Sequence, residues 1–327
     1  MASSEQIKAL LLSHLAKDDE RFLSIALQMA AHEARRGHGK LAQDLRDIVE
    51  KAKKQYKSTN SAIPISKGLK DASGLLYATT PHFRLEDLII TDEVKDKLHR
   101  VIREQRHLSK LKNHGLSPRR KLLLVGPPGT GKTFTASVLA SELGYPLFQV
   151  RLDAVITKFM GESSAKLRQV FDAIEDVRGV YFFDEFDALG SQRTTPNDVG
   201  EARRILNSFL QMIEQDDSNS LIICATNHAE ILDYALFRRF DDVIQYQLPS
   251  KNEIITLLKN KLSPYVAKRF PWVKLANKAE GLSSAEITLA AQDSIKEMLI
   301  HEHKSITLAM VEAAVNDRRE ISYQKHR

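Results

Sequence analysis

A glycine-rich octapeptide at residues 126–133 constrains the fold of this chain more than any other feature of the sequence. It reads Gly-Pro-Pro-Gly-Thr-Gly-Lys-Thr and lies between an apolar run, residues 122–125, and a helical pattern that extends to about Leu143. Glycines let a backbone wrap closely around an anion, and the unpaired N–H groups at the start of a helix face the same anion. This strand, loop and helix predict a nucleotide phosphate site.

The positions of this loop have separate predicted roles. The candidate binding residues are Gly126, Pro127, Pro128, Gly129, Thr130, Gly131, Lys132 and Thr133. We expect Lys132 to contact the β- and γ-phosphates of ATP and the Thr133 hydroxyl to bind Mg²⁺. A glycine-rich turn without a ligand is the alternative, which the order of strand, loop and helix disfavours.

Two acids follow another apolar run. Residues 180–183 are Val-Tyr-Phe-Phe and lead directly into Asp184 and Glu185. Because open α/β sheets bind ligands at the carboxyl ends of their strands, we expect Asp184 to hold Mg²⁺ and Glu185 to be the general base for the attacking water. The alternative is that Asp184 or Asp187 caps the helix that follows.

A polar amide ends a third apolar run, residues 221–225. Asn227 in this position is predicted to lie beside the γ-phosphate and orient the attacking water, although an asparagine also commonly opens a turn or caps a helix. Within the run, Cys224 is the only cysteine of the chain, and we expect a small core residue rather than a nucleophile. A single cysteine excludes an intramolecular disulfide, which suits a cytoplasmic protein.

The chain divides by pattern into four predicted segments. Three apolar stripes at helical spacing predict a three-helix bundle over residues 1–57, and the Ser, Thr, Asn, Pro and Gly content predicts a linker over 58–82. Apolar runs at 122–125, 147–150, 180–183, 221–225 and 243–246 alternate with helical patterns, which predicts a parallel α/β sheet over 83–249. Helices alone are expected over 250–327, and the capping-box spacing of Ser283 and Glu286 predicts where one begins.

Composition limits the class of protein. The 327 residues are 43% hydrophobic and 28% charged, which is ordinary for a globular protein, and no apolar run approaches the length of about 20 residues that spans a bilayer. The apolar run at residues 9–12 is too short for a signal peptide. A net charge of +6 permits an anionic partner but does not by itself predict one.

The order and spacing of the loop, Asp184-Glu185, Asn227 and the sequence Phe237-Arg238-Arg239-Phe240-Asp241 resemble those of the AAA ATPases, the AAA+ branch that includes katanin, the proteasomal ATPases and the membrane-bound AAA proteases. The resemblance covers about residues 83–319. It implies a sheet of order 5-1-4-3-2, a C-terminal helical lid, and hexameric rings with ATP at the subunit interfaces. It also implies that Arg238 and Arg239 are arginine fingers that reach the neighbour's γ-phosphate.

The same resemblance assigns a substrate loop. Lys158, Phe159 and Met160 are similar to the first pore loop of the family, in which an aromatic beside an aliphatic residue grips an unfolded polypeptide in the ring's channel. Core packing of Phe159 and Met160 is the alternative. Residues 190–200 stand where a second pore loop would, without its aromatic residue.

Two departures from the family's pattern affect the expected adenine pocket. Ser284-Ala285 stands where the family often has Gly-Ala, and residues 87–90 are Asp-Leu-Ile-Ile where relatives usually have glycines. Both changes keep an apolar adenine pocket possible in chemical terms. The stretch around the paired arginines is also shorter than in relatives that have an intervening Pro-Gly.

The sequence therefore predicts an ATP-hydrolysing motor that remodels or threads protein substrates, which its N-terminal bundle recruits. One alternative is a regulatory or scaffold ATPase that controls a partner enzyme, because some compact bacterial AAA proteins are encoded beside a protease. Another is a nucleic-acid motor or loader, which the basic pI of about 9.2 supports. The Phe159-Met160 pair opposes that alternative, since a loop that tracks a nucleic-acid backbone favours Lys and Arg.

Overall fold

The computed structural model describes residues 67–156, 161–189, 196–228 and 234–325, together with Ala26, Ala30 and Gln43 as isolated positions. The chain divides into two compact units, Met1–Pro64 and Ile65–Arg327. Apart from those three positions, the predicted bundle at 1–57 lies outside the described residues, as does the first part of the predicted linker.

The second unit is a mixed sheet with helices, followed by helices alone. Its strands are β1 (Leu76–Thr79), β2 (Lys121–Val125), β3 (Leu147–Val150), β4 (Val180–Phe183), β5 (Leu221–Thr226) and β6 (Asp242–Gln245). The helices before and between the strands are α1 (Lys67–Asp71), α2 (Asp92–Arg106), α3 (Leu108–Asn113), α4 (Lys132–Leu143), α5 (Leu152–Val155), α6 (Glu162–Asp176), α7 (Pro196–Gln215) and α8 (Tyr234–Phe237). The C-terminal helices are α9 (Lys251–Leu262), α10 (Trp272–Ala279), α11 (Ser284–Ile300) and α12 (Leu308–Lys325).

The strand order of the sheet is β1-β3-β4-β5-β2-β6, with β1 antiparallel to β3 and the other neighbours parallel. The predicted order 5-1-4-3-2 differs from this sheet, because β1 carries no continuous apolar run and was not among the predicted strands. If β2 to β6 are renumbered 1 to 5, the sheet read from β6 to β3 has the order 5-1-4-3-2, which is the predicted order of the five parallel strands. Strand β1 is added at the edge of the sheet beside β3.

The linker prediction is wrong for its second half, since α1 and β1 lie within residues 58–82. Gly68 of α1 is buried and its N–H donates to Asp176 Oδ2 of α6 at 2.9 Å. Strand β1 has one buried residue, Leu76, whereas Tyr77 is 62% exposed. An edge strand that buries so little apolar surface lacks the continuous apolar run by which the other strands were predicted.

The carboxyl ends of the parallel strands lie together at one edge of the sheet. Val125 pairs with Thr226 and Phe183 pairs with Cys224, so β2, β4 and β5 end almost in register. All residues of β4 and β5 are buried, as parallel strands covered on both faces require. The residues that follow these strands, Gly126, Asp184 and Asn227, are therefore brought to the same edge.

Helices α9 to α12, residues 251–325, form the region that we call the lid. It has its own apolar cluster, in which residues of α9, α10, α11 and α12 pack on one another. The predicted capping box at Ser283 and Glu286 is confirmed: the Ser283 side chain accepts from the Glu286 N–H, and the Ser283 N–H donates to Glu286 Oε2. Ser250 and Glu253 make the same arrangement at the start of α9.

Candidate functional site

The glycine-rich loop, residues 126–133, connects β2 to α4 and is shaped by close backbone contacts. Gly126 has φ 151° and Gly129 has φ 74°, values that side chains disfavour. A Cβ on Gly126 would lie 2.3 Å from the carbonyl oxygen of Tyr246, and one on Gly129 would lie 2.6 Å from Ser283 Oγ. No side chain fits at either position without moving its neighbours.

Lys132, the first residue of α4, is held against the loop. Its side chain is buried, and Nζ donates to the carbonyl oxygens of Gly126 at 2.7 Å and Pro127 at 2.8 Å. Burial lowers the pKa of Lys132, while the carboxylates of Asp184 and Asp187 oppose that shift. The Lys132 cation thus lies beside the backbone of the glycine-rich loop, the kind of segment in which proteins bind phosphate.

The acids that follow β4 contact the end of the loop. Thr133 Oγ1 donates to Asp184 Oδ2 at 2.8 Å, although the two residues are 51 positions apart. The other Asp184 oxygen accepts the backbone N–H of Glu185 at 3.0 Å. Glu185 is exposed and has φ 49°, a strained backbone for a residue with a Cβ. Strain of this kind is frequent at functional sites, where the surrounding structure fixes an unfavourable conformation.

The donor set of this pair fits Mg²⁺. A hydroxyl and a carboxylate supply hard oxygen ligands, and Mg²⁺ usually takes one or two protein oxygens while phosphates and water complete its shell. Within the described parts of the chain, no group of three or more His, Cys, Asp or Glu side chains could hold a metal ion. Thr133 and Asp184 would therefore bind the ion jointly with a nucleotide rather than as a cage of protein ligands.

Asn227 reaches the same edge from β5, between the loop and the acids. It is half-buried and follows Thr226, whose Oγ1 donates to Asp187 Oδ1 at 2.9 Å and accepts from the backbone N–H of His228 at 3.0 Å. Asp187 was predicted only as a possible helix cap, and Thr226 had no predicted role. The sequence signal that could have identified Thr226 is its position as the one hydroxyl residue, at the end of an otherwise apolar strand.

A cleft of about 650 Å³ opens beside the two acids. Its lining includes Asp184, Glu185, Tyr77, Arg151, Asp153 and Ile156. Arg151 and Asp153 form an exposed ion pair at 3.2 Å. Glu185 thus borders a cleft that is large enough for water and for parts of a neighbouring molecule.

The lid meets the loop on its other side. The Ala285 N–H at the start of α11 donates to the Gly129 carbonyl at 3.0 Å. A second cavity of about 20 Å³ lies between the loop and the lid and is lined by Ile89, Ile90, Thr130, Tyr246 and Ser284 among others. The structure therefore brings together both segments that were expected to form an adenine pocket, with a small cavity between them.

Arg238 and Arg239 lie away from this site. Both are exposed, they follow α8, and they precede the first residue of β6, whose carboxyl end is the one near the loop. Arg239 pairs with Glu214 at 3.1 Å, and both side chains are exposed. Since a strand of four residues is about 13 Å long, the arginines stand at the opposite edge of the sheet from their own phosphate loop.

The substrate-loop residues Lys158, Phe159 and Met160 lie outside the described residues. The structure describes the ends of that segment, Ile156 after α5 and Gly161 before α6. Helix α7 begins at Pro196, inside the stretch 190–200 that was considered for a second pore loop.

A parallel sheet with a phosphate loop and two acids at its carboxyl edge defines a P-loop nucleotide-binding protein. The sequence model of the family described as ATPase family associated with various cellular activities (AAA) matches residues 122–248. An uncharacterized AAA family ATPase of Sinorhizobium fredii, y4kL, is 34% identical over 307 residues, which are 94% of this chain and 92% of that protein. The chain belongs to the AAA family of ATPases.

Two further relatives match over only part of their own length. Protein SAV of Sulfolobus acidocaldarius is 33% identical over 241 residues, 71% of this chain and 30% of that protein. The ATP-dependent zinc metalloprotease FtsH of Helicobacter felis is 28% identical over 266 residues, 79% of this chain and 40% of that protein. Both comparisons therefore concern less than half of the relative.

None of the described helices is both long and apolar enough to cross a bilayer.

Proposed function

We propose that this chain hydrolyses ATP at the carboxyl edge of its sheet. The hydrogen bond from Thr133 to Asp184 carries the proposal, because it joins the phosphate loop to the acids at a distance of 2.8 Å. In this proposal, Lys132 and the loop N–H groups bind the phosphates, and Mg²⁺ held by Thr133 and Asp184 neutralises phosphate charge. Glu185 accepts the proton of the attacking water, and Asn227 orients that water.

The position of the arginines supports hydrolysis between subunits of a ring, which we propose to be a hexamer as in the family. Arg238 and Arg239 are remote from their own loop but exposed, so a second copy could place them beside the γ-phosphate. An arginine that stabilises transition-state charge is worth about 10³–10⁵ in rate. The pairing of Arg239 with Glu214 would not prevent this, since exposed ion pairs contribute little stability.

Mixing variants tests this arrangement. The double variant Arg238→Ala/Arg239→Ala should bind ATP but hydrolyse it at least about 10³-fold more slowly. Mixed rings with Glu185→Gln subunits should recover part of the rate, because some interfaces then combine an intact base with intact arginines. A mixture of two arginine-deficient variants, one of which also carries Glu185→Gln, is the control and should not recover. Absence of recovery in verified mixed rings would exclude action between subunits.

We propose that the ring remodels or threads protein substrates, with Lys158, Phe159 and Met160 gripping the polypeptide and the N-terminal residues 1–57 recruiting it. The connection between the ATP site and the gripping residues would be short, because Ile156, which lines the cleft beside Glu185, is only two residues before Lys158. Nonspecific apolar contacts suit a substrate whose sequence changes as it moves.

The threading proposal is tested with Phe159→Ala and a permanently unfolded protein substrate. We expect unchanged basal ATPase activity and loss of the stimulation that the substrate causes. Leu116→Ala, which truncates an apolar side chain that is 57% exposed outside the site, is the control and should keep the stimulation. If Phe159→Ala instead lowered the melting temperature, as a core truncation costing about 3–5 kcal/mol would, the residue would be structural. Unchanged stability and unchanged remodelling would favour a scaffold ATPase that controls a partner enzyme.

One surface favours a second candidate, a nucleic-acid motor or loader. Five exposed basic residues lie along α2 and α3: Arg100, Arg103, Arg106, Lys110 and Lys112. Such a surface could contact phosphates. The logarithm of the DNA-binding constant would then fall steeply and linearly with the logarithm of the salt concentration. A salt titration of DNA binding by the wild type and by Arg103→Ala/Lys110→Ala tests this second function. The nucleic-acid function is excluded if neither the DNA affinity nor the slope of its salt dependence changes in the double variant.

A further inference from the structure

Two hydroxyl groups meet in the interior between the phosphate-loop helix and the last strand. The oxygens of Thr135 and Tyr246 are 2.7 Å apart, and both residues are buried. Thr135 Oγ1 also donates to the Gly131 carbonyl at 3.0 Å. Because a threonine hydroxyl carries one hydrogen, Thr135 must accept from Tyr246 when it donates to Gly131. A directed chain of hydrogen bonds therefore runs from Tyr246 through Thr135 to the last glycine of the loop.

The backbone of Tyr246 contacts the first glycine of the same loop. Its N–H donates to the Val125 carbonyl at 2.6 Å, next to Gly126. A Cβ on Gly126 would lie 2.3 Å from the Tyr246 carbonyl oxygen and 2.8 Å from the Tyr246 Cβ. Tyr246 thus contacts the first glycine of the loop, Gly126, through its backbone, and it is connected to the last glycine, Gly131, through its hydroxyl and Thr135.

Tyr246 also stands where the sheet continues into the lid. It directly follows β6 and is separated by three residues from Ser250, the residue that caps α9. It lines the small cavity together with Thr130 of the loop and Ser284 of α11. A shift of the loop and a shift of the lid would therefore both act on this side chain.

A hydroxyl is not needed for packing at this position. Burying a hydroxyl costs free energy unless it is hydrogen-bonded, and a phenylalanine would fill the same space without that requirement. Burial also raises the pKa of Tyr246, so the phenol stays a neutral donor over the range in which proteins are folded. The hydrogen bond between Tyr246 and Thr135 is therefore explained by its effect on the Gly131 end of the loop, which it orients.

We propose that Tyr246 is a positioning residue that holds the phosphate loop in its nucleotide-binding conformation and connects that conformation to the lid. This inference rests on the proposed nucleotide site. If only a fraction of molecules has the competent loop, the apparent dissociation constant rises in inverse proportion to that fraction. Loss of one hydrogen bond of ordinary net strength should then weaken nucleotide binding about fivefold.

The test measures binding of a fluorescent ADP analogue with Mg²⁺, together with steady-state ATPase kinetics. Tyr246→Phe should raise Kd and KM about fivefold and leave kcat at saturating ATP unchanged. Thr135→Val should do the same, and the double variant should be no weaker than either single variant, since all three break one chain. Thr135→Ser, which keeps the hydroxyl, should bind like the wild type.

A matched control separates positioning from stability. Tyr181 is likewise buried, and its hydroxyl shares its hydrogen between the carbonyls of Ala173 at 2.7 Å and Val177 at 2.9 Å, away from the loop. Tyr181→Phe should lower the melting temperature without changing Kd. The proposal is overturned if Tyr246→Phe leaves Kd unchanged, or if Tyr181→Phe raises Kd equally. A wild-type chain that binds no nucleotide would refute the proposed function as well, whereas a normal wild type with an unaffected Tyr246→Phe refutes only this inference.

Discussion

Two buried threonines near the phosphate loop differ in their partners from two buried serines of the lid. Around the loop, Thr135 contacts a partner 111 residues away in sequence, and Thr226 one that is 39 residues away. In the lid, the buried Ser283 and Ser294 bond to groups three and four residues away. These two lid serines therefore stabilise single helices, whereas Thr135 and Thr226 fix separate segments relative to one another, as a site for a ligand requires.

The two regions meet at Gly129, and substitution there should give the largest effect of this comparison. Gly129→Ala forces a Cβ to within 2.6 Å of Ser283 Oγ and 3.1 Å of the Ala285 Cβ, in a backbone conformation with φ 74°. We expect nucleotide affinity to fall about tenfold or more, because the loop or the lid must shift.

Gly115→Ala is the matched control for Gly129→Ala. Gly115 has φ 71°, but a Cβ there would meet nothing within 4 Å. It should therefore cost about 1–2 kcal/mol of stability and leave nucleotide affinity unchanged. Calorimetric titration with ADP and a thermal melt measure both quantities. Equal affinities for the two variants would show that the loop and the lid are not in functional contact.

The twin capping boxes give the next largest effect. Ser250→Ala and Ser283→Ala each remove a side chain that accepts the N–H of a residue three positions on, and each should cost about 1 kcal/mol of stability. Only Ser283 lies against the loop, so only Ser283→Ala should also change nucleotide affinity. If Ser250→Ala changed nucleotide affinity as much as Ser283→Ala, both caps would affect nucleotide binding through the stability of the whole lid.

The smallest effect concerns pH and is confined to the lid. Hydrogen bonds from Arg318 and Lys296 hold the pKa of Asp293 below its ordinary value. The carboxylate therefore adds stability at pH values above the ordinary pKa of about 3.9, and this contribution is lost as pH falls through the lowered pKa. Because the group is partly exposed, the contribution is at most about 1 kcal/mol.

Thermal melts of the wild type and Asp293→Asn, from about pH 6 down to about pH 3, check this small contribution. The two melting temperatures should differ most at the upper end of this pH range, and the difference should shrink toward its acid end. A constant difference across that range would assign the effect of the substitution to packing rather than to the charge of Asp293.

Local patterns made much of the fold and site predictable. The phosphate loop, the runs that became β2 to β6 and the capping box at Ser283 each depend on residues close in sequence, so their geometry follows from spacing. The edge strand β1 was missed because only Leu76 is well buried there. The contact of Tyr246 with Thr135 was missed because a single tyrosine after a strand carries no periodic signal.

Roles that depend on assembly cannot be derived from local pattern. The resemblance to AAA ATPases predicted arginine fingers, but only the fold shows that Arg238 and Arg239 stand at the sheet edge opposite their own loop. The grip of Phe159 on a substrate remains a prediction, because that residue lies outside the described part of the chain.

The central claim is that ATP binding and ATP hydrolysis depend on different residues at the carboxyl edge of the sheet, Lys132 for binding and Glu185 for hydrolysis. It is tested most directly by measuring Mg²⁺-ATP binding and turnover for Glu185→Gln and Lys132→Ala. Glu185→Gln should bind ATP within about threefold of the wild-type affinity and hydrolyse it about 10²–10⁴-fold more slowly, because only the base is lost. Lys132→Ala should lose binding itself, since the cation facing the phosphates is removed. Equal losses of ATP affinity in the two variants, or turnover preserved in Glu185→Gln, would contradict the account.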